Sequence, residues 1–457
     1  MPASELGAFV AGTGYDDVPH EVLEYGKRIV LDTLACIVGG CAVRPRHDML
    51  LGVGRALGGS PEATILVSGD RVGAATAAMV NAEAGGALSA QESLYFTHTA
   101  NLVLSVALAL AERRRADGRS LLVAFVLGYE VAARLGLFRS TGPRDDGATQ
   151  RTFDASPSIG AAAAAASMLG LDAGRATQAL AIAAATAPGD ARSARLGALN
   201  YAGFHHKAYC GTVAALLAEQ GFTGYPDLLP VAGDSGSRWW TLDACLKRHP
   251  TCRYLSGPLD RLERVLRDER LEADEIEHVV VHLAPVGIDN AHVATASLAP
   301  DPLDPAEPLN LVFNAPYQVA MVALGVRAGP AWFDPARFDD GRVLALMRRV
   351  SLERDSALGE RMHSEAEAEP HGRARSSGGS GVTVCARGRS YASRGDAVAG
   401  DPWSVETHVT DEQLAEKLCT YGDSLLPRES LERVCKLVLE LECVADVNEL
   451  TRLLVAA

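Results

Sequence analysis

SIGAAAAAASMLGLD, residues 158–172, decides the fold class. Ala161 to Ala166 is an unbroken alanine run. Alanine is the strongest helix former, so Ser158 to Leu169 reads as a helix that Gly170 ends. Small side chains let such a helix lie very close to its neighbours. The flanking sequence supplies those neighbours. Downstream, Ala173 to Ala187 reads as a helix stopped by Pro188-Gly189, and Tyr209 to Gln220 as another stopped by Gly221. Upstream, a helix runs through Leu135, with Ser120 as its cap and Gly136 as its stop. Before it come Leu102–Arg115, Ala74–Leu88 and Glu21–Gly39, the last closed by Gly39-Gly40. The first 225 or so residues therefore read as an all-α bundle, with strand signals nearly absent.

The pattern changes after Leu255. IEHVVVHL, residues 276–283, is β-branched and partly alternating, and reads as a strand. Val350–Leu352 and Val382–Cys385 read as further strand pieces, and Phe313–Val326 and Asp340–Val350 as helices. Pro300–Pro308 is a loop, and HGRARSSGGSG, residues 371–381, a polar, mobile turn. Thr410–Leu418, Leu431–Leu441 and Val447–Leu454 return to helix. The fold expected is mainly α: a large all-α helical domain over 1–264, a smaller α+β lid domain over 265–403, and C-terminal helices over 404–457 that rejoin the first.

Composition narrows the function. The 457 residues carry 43 Lys+Arg against 57 Asp+Glu, a formal charge of −14. A chain so acidic repels a phosphate backbone, which argues against nucleic acid as a partner. Hydrophobic residues make up 48%, too many for a disordered chain. The first residues lack the basic and apolar regions of a secretory leader, and no uninterrupted apolar stretch is long enough for a bilayer. The expectation is a cytoplasmic protein that makes no use of a membrane. The nine cysteines include no CxxC pair, which reads as free thiols and not a zinc site. No Walker loop, GxSxG elbow, HExxH or EF-hand loop occurs. His205 and His206 precede Lys207, but adjacent helix positions point about 100° apart, so the pair makes poor co-ligands.

Several segments, taken in order, resemble the MmgE/PrpD family, whose members include 2-methylcitrate dehydratase, cis-aconitate decarboxylase and iminodisuccinate epimerase. They are VLEYGKRIVLDTLACIVGG (22–40, with Asp32), AATAAMVNAEAGGAL (74–88, with Asn81) and LVAFVLGYEVAARLG (122–136). IGAAAAAASMLGLD (159–172), GTVAALLAEQGFTG (211–224), LKRHPTCRYLSGPLD (246–260) and FNAPYQVAMVAL (313–324) continue the series. The resemblance spans nearly the whole chain. It implies the same bundle-and-lid architecture, an active site in the cleft between the two, and a homodimer. It also implies a small carboxylated substrate and no metal or organic cofactor.

The resemblance places the site residues, and the departures matter as much as the matches. The family's Asp-rich loop ending in His reads SAQESLYFTH here: Ser89, Gln91 and Glu92 stand where Asp is usual, and His98 is kept. Asp154 stands at the second His position, Asn200 at the first Lys position with Lys207 nearby, and Ser256 at a later His. Lys247 and Tyr317 are kept. The catalytic set expected is His98, Asp154, Lys247, Tyr317 and Lys207. The substrate-binding set is Glu92, Arg192, Arg195, His205, His206, Arg253 and Ser256.

Chemistry beside a carboxylate passes through carbanion or enolate character. It needs a base, an acid and cations to hold the carboxylates. An ordinary His titrates near neutrality and suits the acid/base role, so His98 is its first candidate; Tyr317 is a proton donor, and Asp154 a base if burial raises it. Lys247 and Arg253 suit the carboxylates. The function expected is a cofactor-independent lyase, a dehydratase or decarboxylase, in specialised biosynthesis. An isomerase, epimerase or cyclase using the same enolate is the second reading, and a non-catalytic binding or partner homologue the third.

Overall fold

The alanine-rich segment forms the centre of a helical bundle. The computed structural model of the chain describes residues 2–44, 46–94, 97–141, 147–187, 204–229, 238–289, 308–368 and 380–456. Within these, side chains are described except at 137–154, 204–205, 289, 308–309, 362–363 and 365–368. The bundle contains α1 (Ala3–Gly12), α2 (His20–Cys41), α3 (Arg46–Leu57), α4 (Ala74–Gly86) and α5 (Ala100–Arg114). It continues through α6 (Gly118–Thr141), α7 (Gly147–Leu169), α8 (Ala173–Thr186) and α9 (Phe204–Glu219). No helix among the described residues is long and apolar enough to cross a membrane.

α6 and α7 share the most extensive helix interface. A Cβ on Gly128 would stand 2.8 Å from the Gly160 carbonyl oxygen, and one on Gly160 would stand 2.6 Å from that of Gly128. Real Cβ atoms do not sit so close, so the two glycines let the backbones meet. The same use explains two corrections. α2 continues past Gly39-Gly40 to Cys41, and Gly40 lies directly against the Ala84 carbonyl of α4. Gly136 lies inside α6, where a Cβ would be 3.0 Å from Ser156 Oγ of α7. These glycines serve contacts between helices and do not end them. The α6 cap is also corrected: Asp117 Oδ1 accepts the Ser120 N–H at 2.8 Å, so Asp117 is the capping residue. Strand is nearly absent from this half; β1 (Ala63–Thr64) and β2 (Arg71–Val72) pair over two residues each.

The second unit is a four-stranded sheet in the order β4-β3-β5-β6. β3 is Ile276–Leu283, β4 Val350–Arg354, β5 Ser380–Ala386 and β6 Arg389–Gly395. β3 runs parallel to β4 and antiparallel to β5. Arg387 and Gly388, both at positive φ, turn β5 into β6. β6 gives little sequence signal because it is a polar edge strand (RSYASRG) with no buried face. α10 (Arg253–Asp268) packs on the sheet through Leu255, Leu259 and Leu262, and residue 264 lies inside it. α11 (Pro285–Asp289), α12 (Ala315–Ala323), α13 (Gly341–Met347) and α14 (Ser356–Ala368) complete this unit. The segment 371–381 falls almost entirely outside the described residues. α15 (Asp411–Gly422) and α16 (Arg428–Leu439) then pack back on α2. The protein is thus mainly α, with a smaller α+β region. All nine cysteines are free.

Candidate active site

Two connections meet where the bundle adjoins the sheet unit. One is the segment 89–98 between α4 and α5; the other is 245–253, which leads into α10. Ser93 and Cys245 exchange both backbone hydrogen bonds at 2.9 Å. Leu246 N–H donates to Gly400 O at 2.9 Å, and Cys252 N–H to Val312 O at 2.9 Å. The second connection is therefore held from both sides.

Glu92 is completely buried. Its Oε1 accepts the N–H groups of Thr99 and Ala100, at 2.7 and 3.0 Å, and so caps α5. Its Oε2 has no hydrogen-bond partner among the described residues. Burial pushes the carboxyl up to about 7, against the pull of those two N–H groups. His98, partly exposed, has Nδ1 2.7 Å from the Glu92 carbonyl oxygen. A carbonyl can only accept, so Nδ1 carries the proton, and in the neutral ring Nε2 presents a lone pair. Desolvation, then the positive charge of Lys247, and also that of Arg253, hold the ring down to about 3. His98 is consequently neutral near pH 7. A ring that is neutral near pH 7 has no imidazolium proton to donate there.

Lys247 is buried, and its Nζ donates to the carbonyls of Ser89 and, at 3.2 Å, Thr251. Loss of hydration pushes it down to about 8. Lys417 of α15 reaches the same place. Its Nζ is 2.5 Å from Asp32 Oδ1 and donates to the carbonyls of Ala90 and Lys247, both at 2.9 Å. One ammonium thus ties α2, the 89–98 segment and the 245–253 connection together. Asp32 is fully buried; desolvation raises its pKa and Lys417 opposes that. Arg253, at the start of α10, pairs with Asp401, while its Nη1 has no hydrogen-bond partner. Asp32 offsets Lys417 and Asp401 offsets Arg253. Among the described residues Lys247 has only carbonyl acceptors, so these side chains together carry one surplus positive charge when Glu92 is protonated. That is the local sign a carboxylate needs in a protein of net charge −14.

The profile of the MmgE/PrpD N-terminal domain matches residues 4–238, and that of the MmgE/PrpD C-terminal domain matches 249–441. The chain belongs to the MmgE/PrpD family. A cis-aconitate decarboxylase-like protein of Aspergillus oryzae is 24% identical over 494 aligned residues, covering 99% of this chain and 96% of its own length. A cis-aconitate decarboxylase of Aspergillus terreus is 23% identical, with 99% and 95% covered.

In this MmgE/PrpD protein, the charges of Lys247 and Arg253 both act on His98, and that of Lys247 also acts on Glu92. Tyr317 is not part of that group. Its buried hydroxyl donates to Trp332 O, its ring meets Phe338 edge-on, and the charges acting on it are Arg337 and Asp334. The hydroxyl expected to give a proton is thus engaged with the Trp332 carbonyl. Ser256 is buried on α10, and its Oγ has no partner. Lys207 is buried on α9; beside it His206 is exposed, with Nε2 3.6 Å from Cys210 Sγ. Arg192, Arg195 and Asn200 lie outside the described residues, as do the side chains of Asp154 and His205.

Sequence reasoning missed Lys417, Asp401 and His249. Lys417 left a signal: it sits between Leu414 and Leu418 on the buried face of α15, where a lysine needs a partner. Asp401 follows a glycine turn and left none.

Proposed function

We propose that the protein is a cofactor-independent lyase that removes CO2 or water from a small polycarboxylate at the His98–Glu92–Lys247–Arg253 cluster. The observation that carries this is a buried carboxyl, Glu92, that holds a proton close to neutrality at a junction with the cations Lys247 and Arg253. Lys247 and the free Nη1 of Arg253 hold carboxylates and stabilise the enolate-like charge that develops next to one of them. When CO2 leaves, its bonding pair stays on carbon, and that carbon must take a proton. Glu92 is the nearby group that holds one close to neutrality, and solvent replaces it afterwards. When water leaves instead, His98 Nε2 takes the proton next to the carboxylate, and the departing hydroxide takes one from Glu92. The likeness to cis-aconitate decarboxylases favours loss of CO2. The proposal also keeps the expected division, a helical body with the α+β unit as its lid.

The test is mass spectrometry of the products from a panel of small di- and tricarboxylates, cis-aconitate among them. A product lighter by one CO2 supports the decarboxylase, and one lighter by one water the dehydratase. Turnover with no change of mass replaces the lyase by the isomerase or epimerase. No turnover of any acid counts against catalysis here.

A further inference from the structure

A second group of ionisable side chains lies outside the acid/base cluster. His249 is 1% exposed and stacks on Trp332 with ring centroids 5.9 Å apart. Asp260 and Glu263 approach its ring from α10. Nε2 is 3.0 Å from Glu263 Oε1, a normal hydrogen bond in which Nε2 donates. His249 Nδ1 is 3.6 Å from Asp260 Oδ1. Among the described residues neither atom has a hydrogen-bond partner, although both are buried. Two buried polar atoms thus face each other at a distance too long for a hydrogen bond, and a metal ion binds Nδ1 in place of a proton. The distance suits a shared cation: two ligands about 2.1 Å from a tetrahedral ion stand about 3.4 Å apart. The surroundings match as well. Asp260 Oδ2 is oriented by the Ala399 N–H at 2.8 Å. Glu263, which also pairs with Arg248 at 2.8 Å, orients the far side of the imidazole. A carboxylate behind a ligating histidine is the usual outer support of such a site.

We propose that His249 Nδ1 and Asp260 Oδ1 bind a divalent transition-metal ion, zinc by ligand type, with Glu263 orienting the histidine and water completing the shell. His249 belongs to the connection that carries Lys247, and Asp260 to α10. The ion braces that connection against the helix, and no reaction step passes through it. The inference is independent of the lyase reading, since its readouts are binding and stability.

The full-length protein, dialysed against a chelator, is titrated with ZnCl2 by calorimetry and melted with and without zinc. One zinc per chain and a higher Tm in zinc are expected. His249→Ala and Asp260→Asn lose both effects while keeping the helical circular dichroism spectrum. Should either variant fail to fold, the wild-type cobalt(II) complex decides. Nitrogen- and oxygen-ligated bands support the site, whereas thiolate charge-transfer bands place the ion on cysteine and overturn it. Absence of zinc binding by the wild type, or unchanged binding in both folded variants, also overturns it.

Discussion

The α6–α7 contact and the 89–98/245–253 junction are both deeply buried, and they are built from opposite materials. At the first, Gly128 and Gly160 meet backbone to backbone, with Ala164 and Ala132 beside them. The second takes Glu92, Lys247, Asp32 and Lys417 out of water and leaves Glu92 Oε2 without a partner. Small residues let backbones touch, which stabilises through close packing. Buried ionisable groups cost stability unless they are paired. The chemistry proposed on a charged substrate gives that cost a use at this junction.

The sharpest way to break this contrast is His98→Gln. It removes the base while leaving a side chain able to donate to the Glu92 carbonyl. Loss of water is expected to slow by about 10²- to 10⁴-fold, with the Tm nearly unchanged, whereas loss of CO2, in which Glu92 moves the proton, slows less. A comparable loss of stability would make His98 a packing residue.

Glu92→Gln tests the cost itself. The Glu92 carboxyl titrates near 7 in the fold, against about 4.5 when unfolded. Between those values the folded state binds more protons, so its contribution to stability is present below about pH 4.5 and is lost as pH rises through 7. The glutamine cannot ionise. Relative to wild type it is expected to gain up to about 3 kcal/mol between acid and alkaline pH, read from urea denaturation across that range. A difference independent of pH contradicts the buried, unpaired carboxyl.

Gly160→Val strikes the other region. The branched side chain meets Gly128 O and Ala132 Cβ, and overpacking is expected to cost about 1–3 kcal/mol. The molecules that stay folded should turn over at the wild-type rate. Tyr317→Phe has the smallest effect: it removes the donor to Trp332 O and is expected to cost about 1–2 kcal/mol in urea denaturation with kcat unchanged. A large loss of kcat would return Tyr317 to the active site.

The two regions were unequally legible. The alanine run announces the bundle because helix propensity and small size act locally, and Ser158–Leu169 is helical as expected. The glycines were read as stops because a sequence does not show which helix lies opposite; Gly40 and Gly136 are explained only by Ala84 and Ser156. At the junction, His98, Lys247 and Arg253 could be named from motif order. Their ionisation could not, because it depends on partners far away in the chain. Lys417 reaches Asp32 from 385 positions on, and Arg253 meets Asp401 across 148. The shift of His98 away from an ordinary neutral-pH titration rests on desolvation of its ring and on the charges of Lys247 and Arg253, all products of the folded chain.

The most direct test of the account is the nitrogen chemical shifts of the His98 ring, followed by NMR from about pH 5 to 8, the range in which an ordinary histidine titrates. The account predicts a neutral ring protonated on Nδ1 throughout, with no titration above about pH 4, since its pKa lies near 3. A proton on Nε2, or an ordinary titration close to pH 6.5, would contradict it.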